Sequence, residues 1–205
     1  MDWATTARPQ QHVARGKNLS NYASILIEAM GGRQYSIYTD GSFKSLPTAE
    51  EALFSEVAIK SKHGASMVFM PSAIGAPPIV LHMAHDDHLG ADCAFPMELV
   101  PLTLALEIAC VADVAAIYSD CKSIVMWLDK SRPRLSHTRC TSLLMVAADL
   151  KRLTSVRILH CDAHAERRKQ RAQWSAQDIG NYTADRAADK DLDSIFQEHE
   201  QFAFY

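Results

Sequence analysis

Two aspartates close runs of residues that read as strands: Asp40 in Tyr38-Thr39-Asp40-Gly41-Ser42 and Asp120 in Ile117-Tyr118-Ser119-Asp120. A carboxylate at a strand's end lies at the rim of a sheet, where it meets residues remote in sequence. Two further acids have distinctive settings, Glu98 in Met97-Glu98-Leu99 and Asp185 in Gly180-Asn181-Tyr182-Thr183-Ala184-Asp185. Carboxylates gathered at one rim repel one another unless divalent cations sit among them. The set points to metal-dependent phosphodiester chemistry.

The order of elements says which sheet would gather them. Residues 35–44 alternate in the strand manner and end in a Gly-containing turn. Residues 65–70 and 79–84 read as two more strands, joined through a turn rich in Pro and Gly. Three strands in series with tight connections predict an antiparallel meander. Helical periodicity follows over 94–112, then a buried strand at 114–119, a short helix at 121–128, an amphipathic helix at 141–153, a strand at 156–160 and a final helix at 182–192. The expectation is an α/β fold: a mixed five-stranded sheet, its strands 1–3 an antiparallel meander and the rest parallel, flanked by helices. Residues 1–32 read as a leader or linker, or as a helix over 21–30 that docks on the main fold and is closed by Gly31-Gly32. Residues 33–195 form the domain and 196–205 a tail.

Composition narrows the classes. A formal charge of −3 leaves little basic excess for gripping a polyanion, so neighbouring domains or bound metal would have to assist. Five scattered cysteines without a CxxC pair favour reduced thiols and an intracellular setting, cytoplasmic or nuclear. The first thirty residues lack the apolar core of a signal peptide. No apolar run approaches the ~20 residues that span a bilayer.

Tyr-Thr-Asp-Gly-Ser, Met-Glu-Leu, Tyr-Ser-Asp before a helix, and Gly-Asn-x-x-Ala-Asp-x-x-Ala, in that order over residues 35–189, resemble the type 1 ribonuclease H family, and within it the domains attached to retroelement reverse transcriptases. The resemblance implies a ribonuclease H-like fold and an endonuclease that hydrolyses the RNA strand of RNA–DNA hybrids. It also implies two Mg²⁺ ions, with Mn²⁺ as a substitute, held by Asp40, Glu98, Asp120 and Asp185, and a loop histidine, His164, that assists proton transfer or product release. The partners implied are the hybrid and an upstream reverse transcriptase domain, with no membrane and no structural zinc. Gly41, Ser42, Cys121 and Asn181 fall where the substrate is approached. Two cations ~3.5–4 Å apart stabilise both the attacking and the leaving oxygen of a phosphodiester, and Mg²⁺ takes hard oxygen ligands. The missing side chain of Gly41, with Ser42, would leave room for a phosphate or ribose, and 2′-hydroxyl contacts would select RNA.

Each acid also has an ordinary explanation. Asp40-Gly41 makes a turn, Glu98 suits a helix N-terminus, Asp120 caps a helix, and Asp185 sits on a helix surface. Asp178 is a rival for Asp185, and His160 for His164. Cys121 stands where a Ser or Thr is more usual, and a thiol is the poorer donor. Pro101 follows Glu98 by three residues; inside a helix it costs ~3 kcal/mol, so the helix would start near Glu98 or be kinked. The alternative function is a catalytically silent connector or hybrid-binding module of the same fold.

Three further segments carry chemistry. Arg167, Arg168, Lys169, Arg171 and Trp174 form a basic insertion suited to a nucleic-acid backbone, or a solvated loop pinned by Trp174. Lys130, Arg132, Arg134 and Arg139 make either a phosphate patch or ordinary surface charge. His82, His85, Asp86, Asp87, His88, Asp92 and Cys93 match no zinc spacing.

Overall fold

The computed structural model describes residues 10–15, 19–45, 61–73, 76–85, 94–129 and 140–189. The basic loop 130–139 and the cluster from Asp86 to Cys93 lie outside the described residues. Six strands form one sheet: β1 Gln10–Arg15, β2 Tyr35–Ser45, β3 Ser61–Pro71, β4 Ile79–His85, β5 Val114–Ser119 and β6 Arg157–His160. Their order is β1-β4-β3-β2-β5-β6. Strands β2, β3 and β4 are the expected antiparallel meander, and β5 and β6 extend it in parallel.

The sixth strand is a departure from the five expected. β1 pairs parallel with β4, Gln10 opposite Ile79 through Arg15 opposite Ala84. Gln-Gln-His-Val-Ala-Arg has neither the alternation nor the β-branched content that marks a strand, so the neighbouring edge determines its conformation. Helix α1, Leu19–Met30, follows and buries Leu26 and Met30 in the main core. Gly31 and Gly32 end it with φ of 57° and 69°, the left-handed geometry of a helix C-terminus.

Alternation along β2 divides the core in two. Tyr35 and Ile37 pack with Leu99, Leu102 and Leu106 of α2 (Phe95–Ala109), Ile124 of α3 (Lys122–Asp129) and Leu144 of α4 (Thr141–Leu153). On the other face Tyr38 packs with Val68, Val80, Ala184 and Ala187, the last two from α5, Ala176–Ala188. The sequence places this helix at 182–192; the structure starts it six residues earlier. Ser175 Oγ accepts a hydrogen bond from the Asp178 amide, and the Asp178 carboxylate accepts one from the Ser175 amide, so the helix begins at a capping box. Gly180 is thus inside the helix. A Cβ there would lie 2.5 Å from the Tyr38 ring, so its absence lets the aromatic pack against the helix backbone.

The far end of α5 is fastened to β3 and β4. Ser66 Oγ donates to the Ala184 carbonyl at 2.6 Å, and His82 Nδ1 lies 2.5 Å from that of Ala187. His82 is buried and engaged with this helix, and it belongs to neither group of possible metal ligands among the described residues. A Cβ on Gly64 would meet the Ala188 carbonyl oxygen at 1.9 Å. Gly64→Ala is expected to destabilise the fold by on the order of 1–3 kcal/mol, the cost of overpacking a tight contact, measured by urea or thermal unfolding.

Candidate active site

Parallel pairing of β2 with β5 ends at Thr39 opposite Ser119. β2 itself continues to Ser45, paired with β3, so Asp40 lies within a strand and not at its end. What ends at that level is its neighbour, β5. Asp120 follows Ser119 directly, which brings it abreast of Asp40.

Glu98 arrives from the first turn of α2. A Cβ on Gly41 would lie 2.4 Å from the Glu98 nitrogen and from the Met97 carbonyl carbon. The space expected to admit a phosphate is filled by this helix backbone. Gly41 serves instead to let α2 rest on β2. Asp40, Glu98 and Asp120 each offer an oxygen, all within 4.8 Å of one another.

Pro101 is neither in the first turn nor near the helix start. The helix begins at Phe95, with Pro96 at its N-terminal end, and Pro101 is interior and buried. Having no N–H, Pro101 leaves the Met97 carbonyl without its usual helical donor. That same carbonyl oxygen lies 2.7 Å from the Cβ position of Gly41. The missing helix bond thus falls where helix and strand touch, and Glu98 still reaches the aspartates.

Asp185 lies near the C-terminal end of α5, among the second group of possible ligands, with His164 and Glu166. His164 Nδ1 is 3.4 Å from Glu166 Oε1 and 3.9 Å from Asp185 Oδ2. His164 has φ 53°, a left-handed conformation that is uncommon for a side chain of this size. Asp178 is elsewhere: Lys169 Nζ donates to both of its oxygens at 2.8 and 2.9 Å, and Ser175 Oγ donates to one. Burial raises the Asp178 pKa, but the hydrogen bonds from Lys169 and Ser175 outweigh it and the net shift is downward. His160 ends β6 opposite Ser119.

The smaller residues are engaged with protein groups. Ser42 Oγ donates to Asp189 Oδ1. Cys121 N–H donates to Ser119 Oγ at 3.1 Å, and its sulfur lies 3.3 Å from Ser123 Oγ. Asn181 Nδ2 donates to Asp120 Oδ2 at 3.4 Å. Glu166 and Asp189 are neighbours of the site that sequence reasoning did not select; both raise the Asp185 pKa.

The insertion also turns inward. Arg168 pairs with Asp162 at 3.0 Å and Lys169 with Asp178 at 2.8 Å. The Arg171 guanidinium sits 5.5 Å from the Trp174 ring centroid, and Trp174 packs on Tyr182 at 4.9 Å. The Trp174 indole donates to the Lys169 carbonyl at 3.3 Å, so the tryptophan pins the loop.

Carboxyl groups dominate the electrostatics of the site. Burial, then Asp120 and Asp185, push the Asp40 carboxyl well above its ordinary range. Burial, then Asp40 and Asp120, do the same for Glu98. Burial raises Asp120 against the Asn181 hydrogen bond and the nearby His164, and raises Asp185 against His164. Glu98 Oε2 is buried and has no hydrogen-bond partner among the described residues. An all-carboxylate donor set with one oxygen orphaned suits a hard divalent cation such as Mg²⁺ or Mn²⁺.

Comparison with solved structures shows a ribonuclease H-like fold. The crystal structure of prototype foamy virus protease–reverse transcriptase matches with a TM-score of 0.52 and 17% identity, over 85% of this chain and 21% of that one. The solution structure of the PFV RNase H domain matches at TM-score 0.47 and 17% identity, over 79% of this chain and 96% of that one. RNase H1 from the halophilic archaeon Halobacterium salinarum NRC-1 matches at 0.46 and 16%, over 78% and 98%. The chain thus spans about a fifth of the length of the foamy virus protease–reverse transcriptase. No family model matches the chain, and no curated protein matches it in sequence. No helix among the described residues is long and apolar enough to cross a membrane.

The raised carboxyl pKa values mean that the folded chain holds protons the unfolded chain has released. Stability from these groups is full below the ordinary carboxylate range and is lost as pH rises through the folded values. In a chelator the melting temperature is expected to rise as pH falls from ~8 toward ~5, and Asp40→Asn to melt above wild type at the upper pH. Added Mg²⁺ should close that gap, as read by thermal denaturation.

Proposed function

We propose that this chain is a ribonuclease H-type endonuclease that hydrolyses the RNA strand of RNA–DNA hybrids with the aid of two Mg²⁺ ions. The observation that carries this is the meeting of Asp40, Glu98 and Asp120 from three separate elements within 4.8 Å. The partnerless Glu98 Oε2 supports it. The domain is read as 33–195, with β1 and α1 of the leader docked on it and 196–205 a tail. Alongside it we place an upstream reverse transcriptase domain, because the foamy virus protein of similar fold is a protease–reverse transcriptase.

Asp40, Glu98, Asp120 and Asp185 would hold the ions. Bound Mg²⁺, or Mn²⁺ in its place, supplies positive charge at the attacking and leaving oxygens of the phosphodiester. Asp40 would be the central residue of the set, since Glu98 and Asp120 each offer an oxygen within 4.8 Å of its own and Asp185 also raises its pKa. Asp120 is oriented by Asn181. His164 Nδ1 faces Glu166 and Asp185, and its other ring nitrogen would exchange a proton with the leaving oxygen or a water.

A hybrid carrying a label on its RNA strand tests this reading. Cleavage is expected with Mg²⁺ and not with a chelator, on the RNA strand alone, and Asp40→Asn and Glu98→Gln should abolish it while hybrid binding persists. His164→Ala should lower kcat by roughly 10²-fold, as for loss of a general acid–base group. Hybrid binding by the wild-type chain without cleavage at any Mg²⁺ concentration would replace this function with the silent binding module.

A further inference from the structure

We infer that Cys161 is a positioning residue for Asp120, acting through the side chain of Asn181. The inference rests on the nuclease reading for its kinetic consequence, but its geometry stands apart. Cys161 follows β6, and its amide donates to the Ser119 carbonyl at 3.1 Å, the residue before Asp120. Its sulfur lies 3.2 Å from Asn181 Oδ1, and Asn181 Nδ2 lies 3.4 Å from Asp120 Oδ2. Cys161 and Asn181 are 5% and 2% exposed, so water does not substitute for either contact.

The direction of the chain of bonds follows from donor chemistry. An ionised Asp120 only accepts, so the amide NH₂ of Asn181 must face it. The amide oxygen then faces Cys161 and needs a donor there. The reversed amide would set its oxygen against the carboxylate and its NH₂ against a thiol that accepts poorly. Burial, then the charge of Asp120, push the Cys161 thiol up to about 12, which keeps it a protonated donor at neutral pH. A thiol is a weak donor, yet the alternative is a buried amide oxygen with no partner, and that asymmetry is what fixes the amide. Partners one step removed from a metal ligand set its orientation, and their loss typically costs ~10–100-fold in metal affinity or activity.

The test compares Cys161→Ala with Cys161→Ser by two measurements on the full chain. One is the Mg²⁺ concentration for half-maximal hybrid cleavage, separated from kcat at saturating Mg²⁺. The other is the side-chain NH₂ resonance pair of Asn181 in a ¹⁵N-correlated NMR spectrum without metal. Cys161→Ala is expected to raise the half-saturating Mg²⁺ by ~10-fold, the lower end of that range, with a smaller change in kcat, and to move the Asn181 pair. Cys161→Ser, which keeps a donor, should restore both. Should Cys161→Ala fail to fold, Cys161→Val, which also lacks a donor, takes its place with the same outcomes. A folded, donor-less variant with unchanged Asn181 resonances overturns the inference. So does a serine variant that behaves like alanine, which would make the effect one of packing. If the wild-type chain cleaves no hybrid, the nuclease reading fails by that result alone, and the Asn181 resonances still decide the role of Cys161.

Discussion

The site depends on one mismatch in length between neighbouring strands. β2 runs to Ser45, whereas β5 stops at Ser119, opposite Thr39. Up to that point the two strands satisfy each other's backbone groups, and Thr39 Oγ1 adds a bond to the Tyr118 carbonyl at 3.3 Å. Beyond it, the chain after β5 turns away and leaves a notch along the β2 edge. Asp40 and Asp120 flank that notch because parallel register gives them the same height. Gly41, one residue further on, permits α2 to touch the strand from the opposite face, and with it comes Glu98. A one-residue slip of β2 against β5 would turn the aspartate to the other face and dissolve the arrangement.

Buried like charges do not assemble of their own accord; something else must outweigh their repulsion. Here the apolar layers on both faces of β2 do so. Leu99 and Leu102 fix the helix that carries Glu98, and Ala184 and Ala187 fix the one that carries Asp185. α5 is further secured at both ends, by its capping box at Ser175 and by Ser66 and His82 near its last turn. Asp185 therefore rides on a rod clamped to the sheet, and its distance to Asp40 is set by backbone packing and not by the carboxylates' own preferences. Preorganisation of this kind would keep the carboxylates in place whether or not a cation is bound.

Much of this was legible in the chain. Alternation over the β2 segment and the apolar run of β5 gave strands in the right order, and the acids stood at recognisable positions on them. What was hidden had tertiary causes. β1 is a polar hexapeptide that becomes a strand only because β4 presents an unpaired edge. The start of α5 was missed because Gly180-Asn181 reads as a helix boundary, whereas the Tyr38 ring requires a glycine inside the helix at that point. Pro101 suggested a displaced helix start, yet the carbonyl it leaves unbonded lies at the Gly41 contact. Gly41 itself looked like room for substrate and proved to be room for Met97 and Glu98. β1, Gly180 and Gly41 are decided by partners dozens of residues away, whereas the Ser175–Asp178 capping box that starts α5 is local in sequence.

Charge placement in the insertion bears on how such a site would hold a polyanion. A basic segment of Arg167, Arg168, Lys169 and Arg171 suggested a grip on phosphate, but each cation has an internal partner: Glu166, Asp162, Asp178 and the Trp174 ring respectively. A guanidinium already paired with a carboxylate offers little net field to a third charge, and these exposed pairs are weak enough to be screened by salt. Their use is to brace the loop that carries His164, which lies between β6 and α5 in a left-handed backbone conformation that an unbraced loop would relax. On the nuclease reading, cations held among the carboxylates would supply the attraction for a phosphodiester at the notch. On that reading the acids that destabilise the metal-free fold would draw in the cation that then holds the scissile phosphate, so metal occupancy and placement of that phosphate would be linked through a single set of oxygens.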